Sequence, residues 1–322
     1  MSLGIVVIGR NEGARLLDCL DSLASAEAPV IYVDSGSSDN SVADARARGV
    51  MVVELDPTTP FTAARGRNAG VDALRAADTP PEFIQFFDGD CIIEPGWIAT
   101  GLAAMEADPE LGLVTGWRTE IHPDASIYNA ICDVEWRRPA GEIAACGGDM
   151  LVRASAFGAA GGFDPRVIAA EDDEFCVRLA KAGWKLRRFP VKMTRHDAAM
   201  TQFAEWWQRA RRSGHGFAQV GDMHPSYFIK ERARVVIYGL LMPFLFVLGL
   251  IGPGWLSGLV LAGYGVSYLR GVRGLIVDGL PMDKAWRQGV FLTLSKFPNA
   301  IGFLQYYWRK WTKAAMRIIE YK

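Results

Sequence analysis

The chain has 322 residues, with 35 basic against 36 acidic side chains and a formal net charge of −1. Half of it is hydrophobic and 22% is charged, which excludes a disordered chain, a collagen-like repeat and a small disulfide scaffold. The balanced charge argues against a nucleic-acid binder, which carries a basic excess.

In chain order, residues 3–8 form a short β-branched run ending at Gly9, the pattern of a buried strand. Residues 13–24 set Leu16, Leu17, Leu20 and Leu23 at helical spacing. A second strand is predicted at 29–33, ending at Asp34, then a helix at 41–48 and a third strand at 50–54. Another helix follows at 65–76, and a fourth strand at 83–87 ends at Asp88. Strands alternating with helices imply an α/β domain with a mostly parallel sheet covered on both faces. Ligands of such sheets sit at the carboxyl ends of the strands. Polar clusters follow three of the four strands: Gly9-Arg10-Asn11-Glu12, Asp34-Ser35-Gly36-Ser37-Ser38-Asp39 and Asp88-Gly89-Asp90. Beyond about residue 110 the pattern changes. Residues 111–115 are strand-like, Cys146-Gly147-Gly148-Asp149 precedes an apolar run at 150–152, and Gly161-Gly162-Phe163-Asp164 is a turn. A helix is predicted at 172–181, a strand at 186–191, and a helix with interleaved aromatic and basic side chains at 203–212.

Each acidic cluster admits two readings. Asp88 and Asp90, one residue apart after a buried strand, suit a shared divalent cation with hard oxygen ligands, or form a solvated turn. Asp34, at a strand end, suits hydrogen bonds from a nucleobase or ribose, or an Asx turn. Asp39 fits helix capping better. Glu171-Asp172-Asp173-Glu174 either favours a helix N-terminus through the dipole, or crowds carboxylates so that one pKa rises, as suits a general base.

The motifs also have an order. Val7-Ile8-Gly9-Arg10-Asn11-Glu12 leads, followed by Val33-Asp34-Ser35-Gly36-Ser37-Ser38-Asp39 and Arg65-Gly66-Arg67-Asn68-Ala69-Gly70. Phe87-Asp88-Gly89-Asp90, Gly161-Gly162-Phe163-Asp164 and Glu171-Asp172-Asp173-Glu174-Phe175 complete the series. Over about residues 3–215 this resembles the family 2 glycosyltransferases of the GT-A fold, a Rossmann-like mixed sheet flanked by helices. The resemblance implies an inverting enzyme that takes a sugar from a nucleotide-diphosphate donor, with Mn2+ or Mg2+ as cofactor. It implies that Gly9, Arg10, Glu12, Asp34, Arg67, Asn68 and Asp88 line the donor site. Asp90 and Asp88 would hold metal and Asp172 would be the base. His196, after the last predicted strand, is either a further metal ligand or a structural histidine. Asp149, Glu171, Gln208 and Arg211 are the expected acceptor or interface residues. Trp117 and Trp136 are candidates for the pocket that sets selectivity. Processive members carry Q-x-x-R-W on an interface helix; here Gln208-Arg209-Ala210-Arg211-Arg212 places Arg212 where Trp would stand, which speaks against processive polymerisation.

Residues 235–269 contain no Asp, Glu, Lys, Arg or His. The run is broken at Gly252-Pro253-Gly254 into halves of about 15 to 17 residues, near the lower limit for a span. A membrane hairpin is one reading, and a helix pair buried in an oligomer is the other. Lys230, Arg232 and Arg234 before the run, with Arg270 and Arg273 after it, put both flanks in the cytoplasm. Residues 289–308 are apolar apart from Lys296 and Pro298, and read as a third membrane helix or an interfacial one. The expected organisation is a catalytic domain at 1–200, amphipathic interface helices at 201–234 and membrane-associated helices at 235–322.

The N-terminus lacks a signal-peptide pattern. The scattered Cys19, Cys91, Cys132, Cys146 and Cys176 read as reduced thiols. The catalytic domain is therefore expected in the cytoplasm, and the apolar last third leads to the expectation that it lies at the inner membrane. A lipid-linked saccharide acceptor and surface polysaccharide or glycolipid synthesis follow as expectations, with no nucleic-acid partner. The alternatives are a sugar nucleotidyltransferase and an inactive membrane-bound scaffold.

Overall fold

The computed structural model describes residues 2–319; residues 320–322, part of the expected membrane-associated region, lie outside them. The chain divides into two compact units, Met1–Met200 and Thr201–Lys322. The first runs β1 (Leu3–Gly9), α1 (Ala14–Ser22), β2 (Val30–Asp34), α2 (Ser41–Ala47), β3 (Met51–Glu54), α3 (Ala63–Arg75), β4 (Phe83–Asp88) and β5 (Cys91–Ile93). It continues α4 (Trp97–Ala107), β6 (Leu111–Glu120), α5 (Ile127–Trp136), β7 (Gly141–Glu142), β8 (Met150–Arg153), α6 (Ala154–Ala160), α7 (Glu171–Lys181) and β9 (Lys185–His196).

Side chains alternate across a strand, so β1 feeds two cores. Val6 and Ile8 join Val71 and Leu74 of α3 on one face; Ile5 and Val7 join Leu16 and Leu20 of α1 on the other. Each such burial stabilises the fold by roughly 1.5–3 kcal/mol. Close approach of α3 requires its glycines, since a Cβ at Gly70 would lie 2.3 Å from Val6 Cγ1.

Among the described residues the sheet order is β3-β2-β1-β4-β8-β6-β9-β5, with β7 on β9. The first four strands are parallel. β8 is antiparallel to both β4 and β6, and β9 is parallel to β6 but antiparallel to β5. The sheet is therefore mixed, and the simple strand–helix alternation stops after β4. β6 and β9 both run longer than expected because they pair with each other through register shifts. α4 and α5 fall in segments where no element was predicted. In α4 the buried positions are Trp97, Gly101 and Met105, a spacing of four that was masked by the apolar residues between them.

The second unit contains α8 (Phe203–Met223), α9 (Ile229–Arg234), a π-helical segment (Val235–Leu241), α10 (Met242–Ile251), α11 (Gly254–Val277), α12 (Met282–Leu294) and α13 (Lys296–Trp311). α9, the π-helical segment and α10 form one helix, Ile229–Ile251, of 23 residues, whose apolar stretch is only 11% buried. Among the described residues it is the helix long and apolar enough to cross a membrane by length and composition. The break at Gly252-Pro253 stands where expected, but the helices around it have 23 and 24 residues. The expected halves of 15 to 17 were too short because they ended at the first charge. Arginine is a good helix former, and the hydrogen-bonded ladder continues through Arg232 and Arg234. The third apolar stretch, 289–308, is interrupted at Ser295 between α12 and α13. α8 and α13 cross closely, for a Cβ at Gly214 would lie 2.0 Å from the Asn299 carbonyl oxygen.

Candidate active site

The loops after β1 and β2 are laced together. Asn11, at φ 55, donates its backbone N–H to Ser37 Oγ (2.9 Å) and accepts from the Ser38 N–H at Oδ1 (2.7 Å). Asn tolerates this left-handed backbone better than most residues. Gly9 leaves room for its neighbours, as a Cβ there would lie 3.1 Å from Glu12 Cγ and 3.2 Å from Tyr32. Glu12 pairs with Arg15 at 2.7 Å, and the Arg10 guanidinium lies 5.7 Å from the Phe61 ring centre. Asp34 was expected to face a crevice. Its carboxylate is instead 2% exposed and accepts from Tyr32 Oη (2.9 Å), the Gly36 and Ser37 N–H groups (2.9 and 2.8 Å) and Ser37 Oγ. These four bonds fill its acceptor positions, so in this conformation Asp34 shapes the loop. Asp39 accepts from the Ser41 N–H at the start of α2 and from the Gly13 N–H, an Asx turn one residue before Asn40, which occupies the cap position.

Arg67 is the hub of the first unit. It is 2% exposed, and α3 delivers it between Asp88, at 2.8 Å, and Glu171, at 2.8 Å. Burial disfavours its charge, but Asp88 and Glu171 more than offset this and hold its proton more tightly than usual. Asp88 responds in kind. Burial opposes its charge, yet Arg67, with His196 and Arg118, keeps its carboxyl well below the usual range. Glu171, expected near the acceptor, is buried on Arg67. Asn68, expected at the donor, is engaged elsewhere. Its Nδ2 donates to the Phe163 carbonyl (2.8 Å) and its Oδ1 accepts from the Phe163 N–H (2.9 Å). It thereby pins the Gly161-Gly162 turn, whose φ values of 76 and 72 require glycine.

The β5–β9 pairing sets Cys91 opposite His196, and this register carries His196 to the acidic turn. His196 Nε2 lies 3.1 Å from Asp90 Oδ1 and 3.9 Å from Asp88 Oδ2. Its Nδ1 is buried and has no hydrogen-bond partner among the described residues. Oδ1 or Oδ2 of Asp90, Sγ of Cys91 and a ring nitrogen of His196 lie within 4.8 Å of one another. Burial, reinforced by Asp149, Asp90 and Asp88, pushes the Cys91 thiol up, so it stays protonated and is the weakest of these donors. The acids with an imidazole fit a divalent cation.

Asp149 was expected to meet an acceptor hydroxyl. It is instead fully buried. It accepts from Thr194 Oγ1 (2.7 Å) and Cys91 Sγ (3.4 Å), and pairs with Arg118 at 3.1 Å. Its part is to hold strands together beneath the site. Arg118 was not anticipated, because residues 116–120 did not read as strand. Its guanidinium lies 5.5 Å from the Trp136 ring, and Trp136 packs on His196 at 4.8 Å. Trp117 is 38% exposed and donates Nε1–H to the Arg138 carbonyl. In the second unit, Gln208 and Arg211 bond to each other (3.4 Å), and Arg211 also donates to Gln305 of α13 (3.0 Å).

Asp172 is the second residue of α7, whose first, Glu171, follows Ala170 in the left-handed region (φ 58). Burial, with Asp173 and Glu171 close by, raises its carboxyl well above the ordinary value despite Arg67. Two residues on, Glu174 is held by Arg178 at 2.6 Å.

Gly148 tests how tightly this cluster is assembled. A Cβ there would lie 2.3 Å from Arg67 Nη2 and 2.9 Å from Asp88 Oδ2. Gly148→Ala should displace that ion pair and lower turnover by about 100-fold, as misplacements near 1 Å do, with a lower Tm. Turnover and melting measurements check this; unchanged turnover would show that the cluster yields without consequence.

The family model described as "Glycosyl transferase family 2" matches residues 4–149, and that described as "Glycosyl transferase family group 2" matches residues 83–294. The pre-mycofactocin glycosyltransferase of Mycobacterium tuberculosis (strain ATCC 25618 / H37Rv) is 29% identical over 272 residues, 80% of this chain and 55% of that protein. The probable glycosyltransferase YdaM of Bacillus subtilis (strain 168) is 22% identical over 271 residues, 77% of this chain and 64% of that protein. The chain thus spans 55% to 64% of the length of these relatives. Among solved structures, the mannosyltransferase PcManGT from Pyrobaculum calidifontis, in complex with GDP-Man and Mn2+, aligns with TM-score 0.58 and 18% identity. That alignment covers 95% of this chain and 87% of the other. S. aureus TarS 1-349 in complex with UDP-GlcNAc aligns with TM-score 0.51 and 14% identity, covering 96% and 92%.

Proposed function

The chain belongs to the family 2 glycosyltransferases and has the GT-A fold, and from that premise we propose that it moves a sugar from a nucleotide-diphosphate donor to an acceptor hydroxyl with inversion. One observation carries this reading: Arg67 joins Asp88 of the D-x-D turn to Glu171, the neighbour of Asp172. A single buried cation thus couples the donor side to the base.

In this mechanism the donor lies along the loops after β1, β2 and β4. Arg10 and Glu12 line it, and Asp34 supports it by holding its own loop in shape. Asp90, His196 and Asp88 would hold Mn2+ or Mg2+. When bound, the cation neutralises charge that gathers on the diphosphate as the glycosidic bond breaks. Asp172 accepts the proton of the acceptor hydroxyl, whose oxygen forms the new bond to the anomeric carbon as the nucleoside diphosphate departs. Attack opposite to the leaving group inverts that carbon. A raised pKa brings Asp172 closer to operating pH, where a general base works best.

The second unit supports a membrane setting, with the catalytic unit in the cytoplasm at the inner membrane and an acceptor saccharide carried on a lipid. Phe244, Val247, Leu250 and Ile251 of the apolar helix are more than half exposed, a face that lipid would cover at lower free energy than water. Surface polysaccharide or glycolipid synthesis is the setting such an acceptor implies.

The test is a panel of nucleotide sugars assayed with soluble and lipid-linked saccharides. We expect release of nucleoside diphosphate from at least one donor, abolished by chelator and restored by Mn2+. His196→Ala should raise the Mn2+ concentration needed by about 10-fold or more. Full turnover in chelator would remove the metal, transfer to soluble acceptors alone would remove the lipid, and release of inorganic diphosphate would point to a nucleotidyltransferase.

A further inference from the structure

Lys296 is the single charge in the apolar stretch 289–308. It begins α13, and its ammonium lies 5.2 Å from the centre of the Tyr238 ring. Tyr238 belongs to the π-helical segment of the apolar helix. Around it stand Tyr264, whose ring is 6.3 Å from Tyr238, and Phe297, 5.8 Å from Tyr264. Tyr264 Oη donates to the Tyr238 carbonyl (2.5 Å), which satisfies a backbone acceptor in the π-helical segment. Gly239 lets the segments meet, for a Cβ there would lie 2.6 Å from the Lys296 carbonyl oxygen. The cage is therefore built by tight packing and does not depend on the flexible lysine alone.

No acid pairs with Lys296 among the described residues. Its one hydrogen-bond acceptor is the Leu292 carbonyl (3.2 Å), so two of the three ammonium donors remain available. A second cation, Arg234, stands one turn before Tyr238 on the same continuous helix. Arg234 is exposed, and its ion-pair partner among the described residues is Glu231, at a loose 4.0 Å. Two cations set on either side of one tyrosine, on an apolar helical unit, are favoured when an anion completes them. Cation–aromatic contacts orient such an ammonium but leave its charge uncompensated.

We propose that Lys296 and Arg234, framed by Tyr238 and Tyr264, form a seat for the phosphate headgroup of a membrane lipid. The occupant is a lipid because the seat lies on the helix whose apolar stretch is 11% buried, where a free anion would lose hydration and gain no apolar contact. A terminal or bridging phosphate supplies several acceptor oxygens to the lysine donors and to the arginine fork. Arg232, by contrast, donates to the Gly221 carbonyl (2.6 Å) and is left out of the seat. This inference rests on the membrane reading above and adds a headgroup preference to it.

The full chain, purified in detergent and freed of it, would be mixed with three kinds of vesicle. These are pure phosphatidylcholine, phosphatidylcholine with 10 mol% phosphatidic acid, and phosphatidylcholine with phosphatidylglycerol at matched surface charge. Flotation should show at least threefold stronger binding to the phosphatidic acid vesicles than to the charge-matched ones. Lys296→Met should abolish that preference while leaving binding to phosphatidylcholine and the melting temperature unchanged, and Lys296→Arg should retain it. Inorganic phosphate at millimolar concentration should not compete; full competition would identify a free-phosphate site and overturn the lipid assignment. Equal binding to both anionic vesicles, or an intact preference in Lys296→Met, overturns this proposal and leaves the membrane reading standing. Failure to bind any vesicle overturns both.

Discussion

Asp172→Asn should lower turnover by about 10²–10⁴-fold, the range that a positioned base contributes, with little change in donor affinity. The amide keeps the shape of the carboxyl but cannot accept the acceptor's proton. Stability should not suffer. Asp172 is disfavoured as an anion by burial and by Asp173 and Glu171, so its removal relieves repulsion. The sign of the pH dependence follows from the same shift. A carboxyl whose folded pKa lies above its unfolded value of about 3.9 favours folding below that value, and this contribution is lost as pH rises through the folded pKa. Catalysis runs the other way, because the base works only when ionised. The wild-type rate should therefore fall on its acid limb at a pH above the ordinary carboxylate range. The measurement is kcat against pH, with melting curves for both proteins. An acid limb near pH 4, or an Asn variant within fivefold of wild type, would refute the assignment of the base.

Arg67→Met should be the most damaging change to stability, at about 3–5 kcal/mol, the usual loss when one partner of a buried ion pair is removed. Two acids lose their counter-charge together, Asp88 and Glu171. The 5.4 Å approach of the guanidinium to the Phe163 ring is lost as well. Asp88 makes the effect pH-dependent. In the wild type its depressed carboxyl contributes stability above the unfolded pKa, and this is lost as pH falls through the folded value. In the variant that contribution is gone, so the gap to wild type should narrow on acidification. Denaturant titrations at pH 7 and at pH 3, below the unfolded carboxylate pKa of about 3.9, measure this. Adding Glu171→Gln should recover part of the loss, since the pair is coupled. A loss below about 1 kcal/mol at pH 7 would mean that water reaches the acids and screens them.

The elements up to β4 were legible because their signals are local. Strand runs, helical spacing and turn chemistry are all carried within a dozen residues, and the loops after β1, β2 and β4 hold their polar clusters where a ligand site of this fold forms. The later half of the first unit was harder. β5 is three residues long, and β6 continues through Trp117 and Arg118 only because β9 lies beside it. Arg118 therefore passed unnoticed, although a charged residue three places beyond a strand-like run and next to a tryptophan is a usable signal. Asp34, Asn68, Asp149 and Glu171 stand where site residues were expected, but their side chains are turned to neighbouring groups. A carboxylate at a strand end reads the same whether it faces a ligand or fills its acceptor positions within the protein.

From its residues alone this chain is legible as an α/β unit with acids at strand ends, followed by a region rich in apolar helix. Periodicity and composition suffice for that, because each depends on near neighbours along the chain. Tertiary structure alone decided which charges meet. Arg67 and Glu171 are 104 residues apart, and His196 reaches Asp90 through the register of β5 on β9. The direction of each pKa shift was settled there too. Asp88 and Asp172 are the same residue type in neighbouring parts of one site, yet Arg67 at 2.8 Å drives one down, while burial among like charges drives the other up. Such differences depend on distance and dielectric, and neither is written in the order of the residues.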